Sequence, residues 1–82
     1  MAEANNDRKH NKRELERAIG SITWTVQHVQ VVFGSFYDVA MELSLNEQDV
    51  PQSYVETMET CEAITAALLQ IADVIKKLNE TL

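Results

Sequence analysis

The sequence predicts an all-α protein in which two long antiparallel helices form an αα-hairpin that dimerises into a four-helix bundle. Across residues 15–43, apolar residues recur in unbroken alternating steps of four and three, which is the heptad spacing of a helix that packs along one seam. A second pattern of the same kind spans residues 54–82. Gly20, Gly34 and Pro51 are the only helix-breaking residues in the 82-residue chain, which favours a few long helices.

Residues 1–10 form a polar N-terminal arm that we expect to be partly disordered, and residues 11–82 form the helical hairpin domain. We place the first helix at about 11–45. Asn11 can cap it while Glu14 occupies the third position, as in a capping box. The arginines and lysines before Asn11 are unfavourable close to a helix N-terminus, because that end carries a partial positive charge.

Residues 21–37 have one competing interpretation. Their middle part alternates apolar and polar residues, and Phe33, Gly34, Ser35 and Phe36 are suited to a turn, so propensity alone permits a β-hairpin. We favour the helix because the heptad pattern continues on both sides of this segment. The predicted seam of the first helix is Leu15, Ile19, Ile22, Val26, Val29, Phe33, Phe36, Ala40 and Leu43.

The second helix is predicted at about 51–79, after a connection near residues 45–50. Asp49 is a candidate cap, and Pro51 suits the first turn, where its missing N–H costs nothing. So short a connection requires the helices to lie antiparallel. The predicted seam of this helix is Tyr54, Thr57, Cys61, Ile64, Leu68, Ile71, Ile75, Leu78 and Leu82.

Surplus apolar surface is the basis for predicting self-association. A two-helix hairpin covers one stripe on each helix, so a second apolar surface remains, and a twofold dimer is the commonest closed way to cover it. Gly20 and Gly34 share a face of the first helix, where they either admit another helix closely or are tolerated weak points. The expected contacts with a second copy or another protein are Trp24, Val31, Val32, Phe33, Phe36, Tyr37, Tyr54 and Met58.

The net charge of −6 is unevenly distributed, because no Lys or Arg lies between Ala18 and Ile75. The carboxylates of this region predict an acidic face that is simply solvated, or that steers a basic partner. An oxygen-rich cluster can also hold a divalent cation. The acidic face comprises Asp38, Glu42, Glu56, Glu59 and Glu62.

Basic residues crowd the start of the first helix, where neighbouring acidic residues nearly cancel them. Phosphate binding grows with the number of uncompensated cations, so a solvated arm competes with a nucleic-acid contact here. The candidate nucleic-acid contacts are Arg8, Lys9, Lys12, Arg13 and Arg17.

The chain has no recognisable catalytic constellation. Cys61 is the single cysteine and lies on a predicted seam, which indicates a buried, inert thiol in a reducing compartment. No glycine-rich phosphate loop and no zinc-binding spacing occurs, so we expect neither an enzyme nor a cofactor. Gln27, His28 and Gln30 interrupt the uncharged stretch 18–37, so we expect no membrane span and a cytoplasmic protein.

These observations predict a small non-enzymatic protein that self-associates and acts as a protein-interaction adaptor or regulator. Two alternatives remain open. One is a bundle that binds a nucleotide or a divalent metal between subunits. The other is a nucleic-acid-binding hairpin that uses the N-terminal basic run.

Overall fold

The protein is an antiparallel αα-hairpin. A computed structural model describes the backbone of residues 2–82 and the side chains of residues 7–82. Helix α1 spans Ala2–Leu45 and helix α2 spans Gln52–Glu80, with 44 and 29 residues. Phe36 contacts Tyr54 near the connection, and Leu15 lies beside Leu78 at the opposite, open end. The Cα trace measures 69 × 14 × 14 Å, and the predicted all-α hairpin is confirmed.

The seam of α1 is confirmed at all nine predicted positions, each of which is half-buried toward α2. Residues 21–37 are helical throughout, so the β-hairpin alternative is wrong. Thr23 and Thr25 show how the strand-favouring residues fit a helix. Their hydroxyls donate to the carbonyl oxygens of Ile19 and Ser21, at 3.0 and 2.8 Å. Packing along the seam therefore outweighs the local propensity.

Residues 2–10 of the predicted N-terminal arm are helical, and α1 begins at Ala2 instead of near Asn11. Residues 2–10 contain neither Gly nor Pro, and most of them are compatible with a helix, so nothing in the sequence stops α1 there. Asn11 shares a groove with Leu78 and Leu82, which places the end of α2 at its height. The segment 2–10 therefore extends about 14 Å beyond α2, at about 1.5 Å per residue.

Helix α1 ends in a Schellman motif with a glutamate at the left-handed position. Glu47 has a φ of 58°. The Gln48 N–H donates to the Leu43 carbonyl at 2.8 Å, and the Glu47 N–H donates to the Ser44 carbonyl at 3.1 Å. These are the two bonds that define the motif. The chain thus reverses direction immediately after α1.

The start of α2 differs from the predicted cap. Pro51, not Asp49, occupies the cap position, with a φ of −57° and no side-chain capping hydrogen bond. The fixed φ of proline holds the chain in an orientation from which the helix can begin. The first turn is closed by the backbone, since the Tyr54 N–H donates to the Pro51 carbonyl at 3.0 Å.

The predicted seam of α2 is wrong in its second half. Tyr54, Thr57, Cys61, Leu68 and Ile75 are half-buried or buried as predicted, whereas Ile64, Ile71, Leu78 and Leu82 are exposed. From Cys61 onward the half-buried or buried residue lies one place further along the chain, so α2 is rotated about its axis. The structure places Thr65, Ala72 and Asn79 in the seam where Ile64, Ile71 and Leu78 were predicted.

Small side chains of α2 stand near a bulky one of α1 at one level of the seam. Phe33 lines the same groove as Cys61 and Thr65, two small residues. The interior is nevertheless thin. Among side chains 7–82, the buried ones are Cys61 and Ala72, which are 7% and 8% exposed. The hairpin alone hides little of its apolar surface.

Candidate interaction surfaces

Thirteen large apolar side chains are exposed among the residues that the structure describes, which is many for so short a chain. Surfaces of this kind usually mark contacts with other molecules. They are Trp24, Val31, Val32, Tyr37, Val39, Met41, Leu45, Ile64, Leu69, Ile71, Val74, Leu78 and Leu82.

Three of these side chains form an outer stripe on α1. Trp24, Val31 and Leu45 are separated by seven residues or a multiple of seven and are 65%, 67% and 79% exposed. This spacing puts them on the side of α1 that faces away from α2. The Trp24 ring lies beside the His28 ring, with centroids 6.2 Å apart. Asp38 continues the same spacing, so the stripe ends in the acidic part of the hairpin.

The predicted interface residues divide into two groups. Trp24, Val31, Val32 and Tyr37 are exposed and available to another molecule. The other members pack inside the hairpin, half-buried between α1 and α2, and so hold the two helices together. They are Phe33, Phe36, Tyr54 and Met58.

A second apolar surface, the uncharged flank, lies beside the seam and includes one predicted residue, Val32. Its large side chains are 41–52% exposed. Sequence reasoning missed most of this surface because α2 was given the wrong rotation. The sequence does contain a pattern that indicates this surface. A second set of apolar residues recurs in steps of three and four at Ile64, Ala67, Ile71, Val74 and Leu78. The flank comprises Val32 and Val39 of α1 with Ile64, Ile71 and Leu78 of α2.

Both helices contribute to the same side of the hairpin in the uncharged flank. The opposite side is identified by a groove that contains Thr23 and Gln30 of α1 together with Leu69 and Lys76 of α2. Helical spacing then puts the flank residues of both helices on the other side of the seam. From 18 to 39 and from 57 to 78, the positions on that side carry no Asp, Glu, Lys or Arg.

Four hydroxyl groups on the flank side are already satisfied within their own helices. Thr25 and Thr57 precede flank residues by seven positions, and each donates its hydroxyl to the carbonyl four residues earlier, at 2.8 and 2.7 Å. Ser35 and Thr60 do the same at 3.1 and 2.8 Å. Covering this side would therefore leave none of these four donors unsatisfied, which removes a common cost of burial.

The loop end of the hairpin is strongly acidic. It carries seven carboxylates and no Lys or Arg. These groups do not converge, because the described residues contain no cluster of three His, Cys, Asp or Glu side chains that could hold a metal ion. Glu62 lines an open groove beside Phe33, while Asp38 lies on the outer side of α1. The seven are Asp38, Glu42, Glu47, Asp49, Glu56, Glu59 and Glu62.

The open end carries all of the basic residues of the chain. Two ion pairs form there on exposed surface, between Arg17 and Glu14 at 3.4 Å and between Lys77 and Asp73 at 3.1 Å. Exposed pairs of this kind contribute little to stability, roughly 0–1 kcal/mol. The predicted nucleic-acid contacts are all exposed on α1, mostly close to the part that extends beyond α2. They are Arg8, Lys9, Lys12, Arg13 and Arg17.

Two further reactive side chains, Cys61 and His28, lie on different surfaces of the hairpin. Cys61 is buried in the seam, and its groove is lined by Gln30, Phe33 and Glu62 among others but by no histidine. His28 packs against Trp24 on the outer side of α1. Within residues 2–82, neither helix combines the length and the apolar character needed to cross a bilayer. Comparison with protein-family models, with curated proteins and with solved structures finds no match to this chain.

Proposed function

We propose that this chain is a small, non-enzymatic, cytoplasmic protein that self-associates into a four-helix bundle and acts as a protein-interaction adaptor or regulator. One observation carries the proposal. Two residues are buried among the described side chains, against thirteen large apolar side chains that are exposed. Burial of apolar area is the main favourable term in association, and this hairpin leaves much of that area unused.

The surface area supports the same conclusion. The chain exposes 6411 Å². A compact globular monomer of 9.3 kDa would expose about 5,000 Å². The projecting N-terminal segment accounts for part of the difference, and the shallow seam accounts for the rest. One partner in a standard protein interface covers about 800 Å², so the excess is large enough for an association surface.

Binding of another protein is assigned to the outer stripe and the acidic loop end together. Aromatic residues often dominate interface energetics, which makes Trp24 the first candidate, with Val31 and Tyr37 about 10 and 20 Å further along α1 at about 1.5 Å per residue. The carboxylates at the loop end favour a partner with a basic surface, because charge of opposite sign accelerates association.

Affinity capture with matched variants tests the adaptor proposal. Trp24→Ser removes the main side chain of the outer stripe, whereas Leu69→Ser removes an exposed apolar side chain on the other helix. A host protein that binds the wild-type chain should be lost with Trp24→Ser and retained with Leu69→Ser, and the purified pair should then form a complex. Retention by the Trp24→Ser variant would contradict the assignment.

A further inference from the structure

We propose that the uncharged flank is the self-association surface, and that its occupant is a second copy of this chain lying antiparallel to the first. This inference rests on the proposed function and deepens it by naming the face and the orientation. The flank was defined above by Val32, Val39, Ile64, Ile71 and Leu78.

The rotation of α2 is the first argument for the flank. Three large aliphatic side chains, Ile64, Ile71 and Leu78, lie outside the seam, while Thr65, Ala72 and Asn79 lie inside it. A hairpin that worked alone would gain more by turning the aliphatic residues inward. With a second copy against the flank, both sets are covered. Each helix of the bundle would then bury its seam and one flank, as core-facing bundle helices do.

The chemistry of the two sides of the hairpin is the second argument. The side of the hairpin that carries the flank has no Asp, Glu, Lys or Arg over residues 18–39 and 57–78. Four hydroxyl groups on that side are bonded within their own helices. The other side places Glu62 and Lys76 next to Leu69. Desolvating charges is costly, so a bundle core forms more readily on the flank.

The available area matches what a stable dimer needs. At about 1.5 Å per residue, α2 is about 44 Å long, and two packed helices are about 19 Å wide including their side chains. Contact along the flank thus covers roughly 800 Å² on each copy, the share of one partner in a standard interface.

Charge determines the orientation of the second copy. The seven carboxylates of the loop end have no cation among them, while all seven Lys and Arg residues lie at the open end. Parallel copies would set two acidic loop ends side by side. Antiparallel copies instead bring the loop end of each copy to the open end of the other, where seven Lys and Arg residues offset six Asp and Glu residues, so like-charge repulsion is smaller.

Paired substitutions on α2 test the face. Ile71 and Leu69 are two residues apart, similarly exposed and on opposite sides of the hairpin. Ile71→Glu should weaken the dimer by at least about 100-fold, because twofold symmetry places the new charge in the interface twice. Leu69→Glu should weaken it by less than about 3-fold, since its new charge stays in water. Equal effects of the two variants would contradict the assignment of the flank as the self-association surface.

The milder pair Ile71→Ala and Leu69→Ala keeps the test informative if a glutamate unfolds the chain. If Ile71→Glu unfolds the chain while Leu69→Glu stays helical and dimeric, the flank is also supported. Ile71 is exposed in the single hairpin, so a charge there would disrupt the fold only if a second copy covers this residue. Ile71→Ala should then weaken the dimer more than Leu69→Ala does. A larger weakening of the dimer by Leu69→Ala than by Ile71→Ala would contradict the assignment of the flank.

Distance measurement between spin labels tests the orientation. The label is placed on Gln48→Cys in the connection, with Cys61→Ala removing the native thiol. An antiparallel dimer separates the two labels by about 45–50 Å, close to the length of α2, whereas a parallel dimer holds them within about 25 Å. A short distance would overturn the orientation while leaving the proposed function intact. A wild-type chain that stays monomeric would instead overturn the proposed function itself.

Discussion

The rings of Phe36 and Tyr54 meet edge to face across the seam, with centroids 5.2 Å apart and planes inclined at 72°. The contact joins α1 to α2 just before the chain reverses direction. It has the geometry that aromatic pairs prefer, because the positive edge of one ring meets the negative face of the other.

Loss of this aromatic pair should destabilise the hairpin measurably. We expect Phe36→Ala to lower the free energy of unfolding by about 2–3 kcal/mol, since it removes a half-buried ring and its partner contact. The measurement is urea unfolding followed by circular dichroism at a fixed protein concentration. Tyr54→Phe is the control and should change stability by less than about 0.5 kcal/mol. A double-mutant cycle that showed no coupling between positions 36 and 54 would contradict the contact.

Glu47 offers a stabilising substitution in the connection. Its φ of 58° lies in the left-handed region, where a side chain costs about 1 kcal/mol and glycine costs little. Glu47→Gly should therefore raise the free energy of unfolding by about 1 kcal/mol, which corresponds to about 4–8 °C in Tm for a domain of this size. Glu47→Ala removes the same charge but keeps the Cβ, so it should gain much less. An equal gain from both variants would assign the effect to charge instead of backbone conformation.

The two glycines of α1 are not required by the packing of the hairpin. A Cβ at Gly20 or at Gly34 would meet nothing within 4 Å. Each glycine-to-alanine substitution should therefore add about 0.5–1 kcal/mol of stability through helix propensity. Thermal melts measure the gain, and sedimentation shows whether the dimer persists. A weaker dimer in Gly20→Ala or Gly34→Ala would mean that a second helix approaches at the glycines, away from the flank.

Trp24 reports which surface is covered, because it is the single tryptophan in the chain. It is 65% exposed on the outer stripe, which differs from the flank. Its fluorescence should stay that of a solvent-exposed indole across the concentrations at which we expect the protein to dimerise. It should shift to shorter wavelength when a partner protein binds the outer stripe. A shift on dimerisation alone would place Trp24 inside the oligomer.

The seam of α1 could be predicted from the sequence because its heptad pattern is continuous and fits only one face of the helix. Nine successive apolar positions fit a single face, and tertiary packing along it outweighs the strand propensity of Thr23 and Thr25. The rotation of α2 was harder to predict. Its apolar residues cover more than one stripe, so Ile64 and Thr65 compete for the seam, and the pattern of residue types alone does not choose between them.

Other features depend on information that a pattern of residue types does not carry. The left-handed Glu47 was not anticipated, since glycine is the usual residue at that position. The early start of α1 at Ala2 shows that favourable helix formers can extend a helix without a packing partner. The uncharged flank was not predicted as one surface, because its α2 residues Ile64, Ile71 and Leu78 also fit the seam pattern.

Sedimentation equilibrium of the 82-residue chain at several micromolar concentrations decides whether the hairpin acts as a single chain or self-associates. We expect a mass of twice the 9.3 kDa of one chain at higher concentrations, in reversible exchange with a smaller species on dilution. A folded, helical protein that sediments as a 9.3 kDa monomer at every concentration would contradict self-association.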